Sequence, residues 1–247
     1  MSRFIHSPNL PEKKLKSIIC GTKDMGVLSF FKREHIEVIP IAPNARIDPS
    51  VALHADISAL HLGKNEIIID KTQTELAGRL RSSGVEVHTT KNPIAGEYPG
   101  DIALNFAVFG NFAIGNFKYA DGNLIHLLNG RQQISVNQGY CKCSVLVISE
   151  SAIITDDESI HKMMLSSGVD SLLVAKGDIL LEGHEYGFIG GASFKLSEDT
   201  VVFCGDITKH RCHTAIEEFI KKYGCKIIST DDGKLRDIGG IVSITEE

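Results

Sequence analysis

Tryptophan is absent from the 247-residue chain, and tyrosine and phenylalanine bring the aromatic share to only 6%. So few rings disfavour a platform that stacks single-stranded nucleic acid or sugars. An excess of one charge sign is also missing. The formal net charge is −5, with acidic and basic residues interspersed, which gives no general electrostatic reason to bind nucleic acid or an anionic membrane. No apolar run approaches the roughly 18 residues of a membrane span, and the opening MSRFIHSPNLPEKKLKS lacks the apolar stretch of a signal peptide. The six cysteines (Cys20, Cys141, Cys143, Cys204, Cys212 and Cys225) are too sparse for a disulfide scaffold and are expected to be reduced thiols. These absences point to a soluble cytoplasmic globule, read as one domain over residues 1–247 with enough chain for a sizeable core.

What the chain does contain is an internal repeat. KSIICGTKD (16–24), NEIIIDKTQ (65–73), SAIITDDES (151–159) and TVVFCGDIT (200–208) match one another, and NFAIGNFKY (111–119) is a weaker copy. Each reads as a short β-branched strand running into a polar or glycine-bearing turn. Ahead of three copies lies another strand across a hairpin turn, in HADISALHL (54–62), KCSVLVI (142–148) and GGASFKL (190–196), and GDIALNFAV (100–108) precedes the weaker copy. Helical spacing follows, for example Ile160, Met163 and Met164, and Thr72–Glu75 and Thr155–Glu158 have capping-box spacing. Gly84, Gly130, Gly168 and Gly224 stand where helices should stop, and each is followed by another strand pattern.

Four such modules are complete and the fifth is split. DIGGIVSIT (237–245) matches FIGGASFKL (188–196) at its Ile-Gly-Gly and lacks a following partner, whereas KSIICGTKD lacks a preceding one. The sequence therefore predicts an α/β fold in which the N- and C-terminal strands pair, the sheet system closes on itself and no strand edge is left open.

Five ββαβ-like modules in a ring resemble the pentein β/α-propellers, the guanidino-group-modifying superfamily, over about residues 16–245. GGIVSIT (239–245) is similar to the Gly-Gly-x-His-Cys-(Ile/Met)-Thr segment that presents that superfamily's nucleophile, HADI (54–57) resembles its His-x-Asp, and Glu182–Gly183 resembles its Glu-Gly-Gly. The resemblance implies a closed five-module propeller and an axial pocket for a guanidino or amidine compound. It also implies a departure, because Ser243 stands at the cysteine position and Val242 at the adjacent histidine. A thiol with a pKa near 8.5 can be tuned to a thiolate, whereas a serine hydroxyl needs a dedicated base that Val242 does not supply.

Aligning the modules yields candidates independently of the resemblance. One register holds Asp56, Asp101, Cys143, Gly191 and Gly240 on first hairpin strands, with His54 and Asn105 on the same faces by the period of two. Two carboxylates suit a planar guanidinium, and bare glycines would let a ligand approach the main chain. Asp56 and Asp101 are expected to point together into the opening and repel each other. Asp56, Asp101, Asn105, Glu182, Gly191, Gly240 and Ser243 are the candidate ligand contacts, and Cys143 and His54 the candidate nucleophile and proton carrier.

Cys141-x-Cys143 and His210-x-Cys212-His213 lack the paired spacing of a structural zinc site, and GNFAIG (110–115) lacks the spacing of a dinucleotide fingerprint. No metal or cofactor is expected. Two function classes remain: a binding module for a small cation without the usual cysteine, or a guanidino/amidine hydrolase or amidinotransferase using Cys143. Neither nucleic acid nor membrane is an expected partner, and a homo-oligomer is compatible with the sequence.

Overall fold

Five short stretches of β-branched residues form the middle strands of five sheets. The structure, a computed structural model, describes residues 2–247. In each module an antiparallel hairpin is followed by a helix and by a third strand parallel to the middle one. The second module runs Ala59–Gly63, Glu66–Ile69, helix Thr74–Ser82 and Glu86–Thr89. The third runs Ala107–Phe109, Phe112–Gly115, helix Gly122–Leu127 and Gln132–Ser135. The fourth runs Val145–Ser149, Ala152–Thr155, helix Glu158–Ser166 and Asp170–Leu173. The fifth runs Ser193–Ser197, Thr200–Phe203, helix His213–Lys222 and Lys226–Ser229.

The first module joins the two ends of the chain. Val242–Glu246 pairs antiparallel with Leu15–Ile19, which pairs parallel with Glu37–Ile39 after helix Met25–Arg33. Arg3–Phe4 adds a short edge to Val242–Glu246. The sheets are separate from one another, and none is itself a closed sheet. The faces of neighbouring sheets meet through apolar packing.

The middle strands explain that packing. Both of their faces are covered, so they read as continuous apolar runs. Their side chains alternate between two cores by the period of two. Ile67 and Ile69 enter the cluster shared with the first module, and Ile68 enters the one shared with the third. Ile153 faces the third module and Ile154 the fifth. Val201 and Phe203 face the fourth module, while Val202 faces the first. Ile18 and Ile19 divide in the same way between the fifth module and the second. Each module is therefore half of two cores and cannot bury its own faces alone.

Gly84, Gly130, Gly168 and Gly224 all adopt positive φ at the helix ends, the conformation that lets a chain leave a helix without a Cβ clash. The two expected capping boxes do not form. Asp157 caps its helix by accepting from the amides of Ser159 and Ile160, while the Thr155 hydroxyl donates to Ser144 O. Thr72 likewise donates to Asp70 rather than capping. Asp157 stands two residues closer to its helix than Thr155 and so takes the free N–H groups, whereas helix Thr74–Ser82 has no side-chain cap.

The first hairpin strands begin later than their sequence pattern suggests. His54-Ala55-Asp56-Ile57 does not start a strand: Ala55–Ser58 form a single helical turn before Ala59. Asp101, Cys143, Gly191 and Gly240 likewise precede the strands, which begin at Ala107, Val145, Ser193 and Val242. Among the described residues no helix is long and apolar enough to cross a membrane.

Candidate functional site

The segments that lead into the first strands carry polar residues where the strands themselves are apolar, and hydrogen bonds link one to the next. Asn105 Nδ2 donates to Asp56 O at 3.1 Å, and the amide of Lys142 donates to Asn105 Oδ1 at 2.8 Å. Gly191 N donates to Cys143 O at 2.9 Å, and Gly240 N to Gly191 O at 3.2 Å. Asp56 N then donates to Gly239 O at 3.1 Å, so the series that leaves Asp56 returns to it after visiting all five modules.

The residue of the third module that stands two before its strand, as Cys143, Gly191 and Gly240 do, is Asn105 and not Asp101. The predicted register is corrected accordingly. Asp101 lies four residues earlier in a turn, where its Oδ2 accepts from the Tyr140 hydroxyl at 2.6 Å. Burial raises its carboxyl above the ordinary range, and the same burial together with Asp101 raises the Tyr140 phenol. Tyr140, not Asp101, lines the cavity described below.

Asp56 and Cys143 meet. The Cys143 thiol donates to Asp56 Oδ2 at 3.1 Å, and Asn105 Nδ2 approaches the sulfur at 3.2 Å. Asp56 is 1% exposed, and its Oδ1 has no protein partner. Burial pushes its carboxyl up to about 6, opposed by the charge of His54 and reinforced by that of Asp237. The Cys143 thiol is pushed well above its ordinary value, first by burial and then by the charges of Asp56 and Asp237. The resting sulfur is thus a protonated donor. Lys142, also buried, places a cation near these groups, and burial lowers its own pKa against their attraction.

The expected repulsion between Asp56 and Asp101 is not present, since the carboxylate that acts on Asp56 is Asp237 and the one that acts on Asp101 is Asp48. Asp237 was not among the sequence candidates. Its Oδ2 accepts from Phe188 N and its Oδ1 from Gly239 N, both at 2.9 Å. Space for it exists because position 191 is glycine: a Cβ there would collide with Asp237 Oδ1. At Gly240 an added Cβ would stand 3.0 Å from Asp56 Oδ2. The two glycines therefore make room for the protein's own carboxylates, which corrects the expectation that they expose bare backbone to a ligand. The available sequence signal was the alignment of DIGG with FIGG, which sets Asp237 against Phe188.

His54, Cys143, Tyr140, Tyr186, Phe188 and Asp237 line a cavity of about 270 Å³. Tyr140 and Phe188 have ring centroids 6.0 Å apart, and Phe188 and Tyr186 6.1 Å, so one wall is aromatic. His54 is fixed by Gly239, whose φ of 75° and missing Cβ allow backbone to press on the imidazole. A larger outer cavity of about 930 Å³ shares His54 and Asp237 and adds Lys23, Asp24, Glu182 and Arg236. Glu182 is exposed at that outer mouth. Ser243 lies elsewhere, buried on Val242–Glu246 and facing a cavity of about 10 Å³ with Lys142, Ser193 and Lys195. The structure thus brings together His54, Asp56, Asn105 and Cys143, adds Asp237, and separates Ser243 and Asp101 from the main cavity. Among the described residues no group of three or more His, Cys, Asp or Glu side chains is arranged to hold a metal ion.

A family model covers residues 18–242, nearly the whole repeat. The chain belongs to the family of unknown function DUF6873. No curated protein matches it. Its structure is similar to that of inosamine-phosphate amidinotransferase from Streptomyces griseus, with a TM-score of 0.59 and 10% identity over 98% of this chain and 96% of that one. It is also similar to DDAH from Pseudomonas aeruginosa, with a TM-score of 0.54 and 11% identity over 94% and 99% of the two chains. Agmatine deiminase of C. jejuni gives 0.52 and 12% over 92% and 91%. The fold of this DUF6873 member is thus a pentein-like α/β fold, shared with those three structures.

Proposed function

We propose that the five modules form a single closed propeller domain whose axial cavity binds a small organic cation of the guanidino or amidine class. Two features support closure: the hydrogen bonds that return to Asp56, and five apolar clusters, each shared by two modules, that link the fifth module back to the first. The observation that carries the ligand class is the Asp237 carboxylate at the cavity wall, beside the buried Asp56 and facing an aromatic side. A guanidinium is a planar cation whose donors match a carboxylate in pairs and whose face stacks on tyrosine and phenylalanine. The names of the fold neighbours, an amidinotransferase and an agmatine deiminase among them, agree with that class. No cofactor, nucleic acid or membrane belongs to this reading.

Binding without the superfamily's nucleophile is favoured, because Ser243 faces a different cavity and the Cys143 thiol is held protonated. One observation favours a second reading, a hydrolase or transferase with Cys143 as nucleophile: Cys143 and His54 line the same cavity. Labelling by an amidine-type covalent probe that is lost in Cys143→Ser would establish the enzyme.

The test of the ligand class is a thermal-shift panel of arginine, agmatine, methylated arginines, creatine and simple amidines, with urea and citrulline as neutral controls. A ligand at about 100 times its Kd adds about 2.7 kcal/mol, and a domain of this size moves by roughly 2–4 °C per kcal/mol. A shift of roughly 5–10 °C is expected for a cation, absent in Asp237→Asn. Equal stabilisation by the neutral controls, or a silent panel, rejects the cation reading.

A further inference from the structure

We propose that Glu182–Tyr186 is a gate between the inner and outer cavities, held shut by a clasp of His184, Ser50 and Asp48. This inference rests on the two cavities alone and holds whatever their ligand is.

The segment is anchored firmly at both ends and weakly between them. Ile179–Leu180 pairs parallel with Leu235–Arg236, and Asp237 N donates to Leu180 O at 2.8 Å. At the other end Gly187 N donates to Ile179 O at 2.8 Å, which closes the excursion at its base. Its ends are thus close together while its middle bulges outward, as in a compact surface loop. Residues 182–185 are exposed. Among the described residues one hydrogen bond ties the middle to another module, His184 Nε2 to Ser50 Oγ at 2.7 Å.

The direction of that bond follows from its neighbour. Ser50 Oγ donates its only proton to Asp48 Oδ1 at 2.6 Å, so His184 Nε2–H must be the donor to Ser50. The Ser50 hydroxyl and amide hold the Asp48 carboxyl below the ordinary range, with the His184 charge contributing. The acceptor end of the clasp is therefore a carboxylate at neutral pH. This is not a serine–histidine–aspartate relay, because the serine is bonded directly to the aspartate and both face the same ring nitrogen. A relay would set the imidazole between them.

The clasp is placed where opening matters. His184, Glu185 and Leu181 line both cavities, so they form the partition between the outer mouth and the chamber that holds Cys143 and Asp237. Gly183 adopts a φ of 81°, and a Cβ there would crowd Ser50 Cβ at 3.3 Å. The exposed glycine at 183 gives the segment a position at which φ and ψ can change with little steric cost, while Gly187 stays fixed at its base.

Cys143 reports on the chamber. Wild type, Ser50→Ala, His184→Ala and His184→Gln are treated with iodoacetamide at one fixed pH, and each cysteine is followed by peptide mass. Losing one partly exposed hydrogen bond should raise Cys143 alkylation about threefold to tenfold in the two alanine variants. His184→Gln, which keeps a donor, should return toward wild type, and Cys212, on another part of the molecule, should not change. Hydrogen exchange of the 182–186 amides is measured in the same variants and should accelerate in step. Unchanged exchange in Ser50→Ala and His184→Ala overturns the clasp, even if Cys143 takes no label in any variant. Faster exchange with no rise in Cys143 labelling overturns the gate.

Discussion

The middle strands and the segments that precede the first strands occur once in every module, yet they have diverged to different degrees. Ile67–Ile69, Ile153–Ile154 and Val201–Phe203 are variations on one apolar theme, because each feeds two apolar cores. The lead-in positions are Ile57 after Asp56, then Asn105, Cys143, Gly191 and Gly240, and only the last two, in their shared Ile-Gly-Gly, are alike. Repetition is retained where a module must pack against copies of itself. It is lost at the lead-in positions, of which Ile57 and Cys143 reach the cavity while Gly191 and Gly240 leave room for Asp237 and Asp56.

The comparison breaks most severely if one module is deprived of a strand. Deleting residues 237–247 removes Val242–Glu246, opens the edge of Leu15–Ile19 and strips the cluster shared with the second module of Val242 and Ile244. The variant should be unfolded or aggregated by circular dichroism and gel filtration. A soluble form with an unchanged Tm would refute the view that the first module is assembled from both ends of the chain.

A smaller effect sharpens the contrast between apolar strands and polar lead-ins. Burial pushes Asp56 up to about 6 and Asp156 up to about 7. A carboxyl raised in the folded state keeps its proton where the unfolded chain has lost it, so its contribution is present in acid and disappears as pH rises through the folded pKa. Between pH 5 and 8 this amounts to about 1 kcal/mol for Asp56 and about 3 kcal/mol for Asp156. His61, pushed down to about 4 by burial, acts in the opposite direction below its unfolded pKa, so the measurement is a difference. Urea unfolding at pH 5 and pH 8 should show that Asp156→Asn loses about 3 kcal/mol less than wild type over that interval. Equal slopes would mean that Asp156 is ionised in the folded protein across the range.

The finest test compares two glycines. A Cβ at Gly191 would collide with the Asp237 carboxylate, whereas one at Gly78, in helix Thr74–Ser82, meets nothing within 4 Å. Gly191→Ala should cost about 1–3 kcal/mol through overpacking and displace Asp237 from the cavity wall. Gly78→Ala should stabilise by about 0.5–1 kcal/mol, since it removes backbone entropy from the unfolded chain. Denaturant midpoints check both, and a tolerated Gly191→Ala would show that Asp237 has room to spare.

Much of the architecture was legible because its signals are local. The Ile-Ile-Ile of 67–69, the glycines after four of the five module helices and the Ile-Gly-Gly shared by 189–191 and 238–240 mark modules without reference to anything distant. The site was only partly legible. His54, Asp56 and Cys143 were candidates and do meet, but Asp101 was put in a register that belongs to Asn105. Counting by twos assumes an extended chain, and the helical turn Ala55–Ser58 and the turns after Asp101 are not extended. Asp237 was passed over although it stood inside a matched segment, because its role depends on space that a glycine in another module leaves open.

The sequence by itself determined the five modules, their strand–helix–strand order and the partnership of the two termini. Period-two burial, positive φ at glycine and hairpin turn chemistry act over a few residues and leave few alternatives. Tertiary structure alone decided which polar groups share the cavity. Asp56 takes its amide partner from Gly239, Cys143 lends its proton to Asp56, and Asp237 occupies the gap beside Gly191. Each of those contacts joins residues from different modules, so no stretch of chain contains the information to specify them. They become determinate only when packing between sheets has fixed where one module's turn stands against the next.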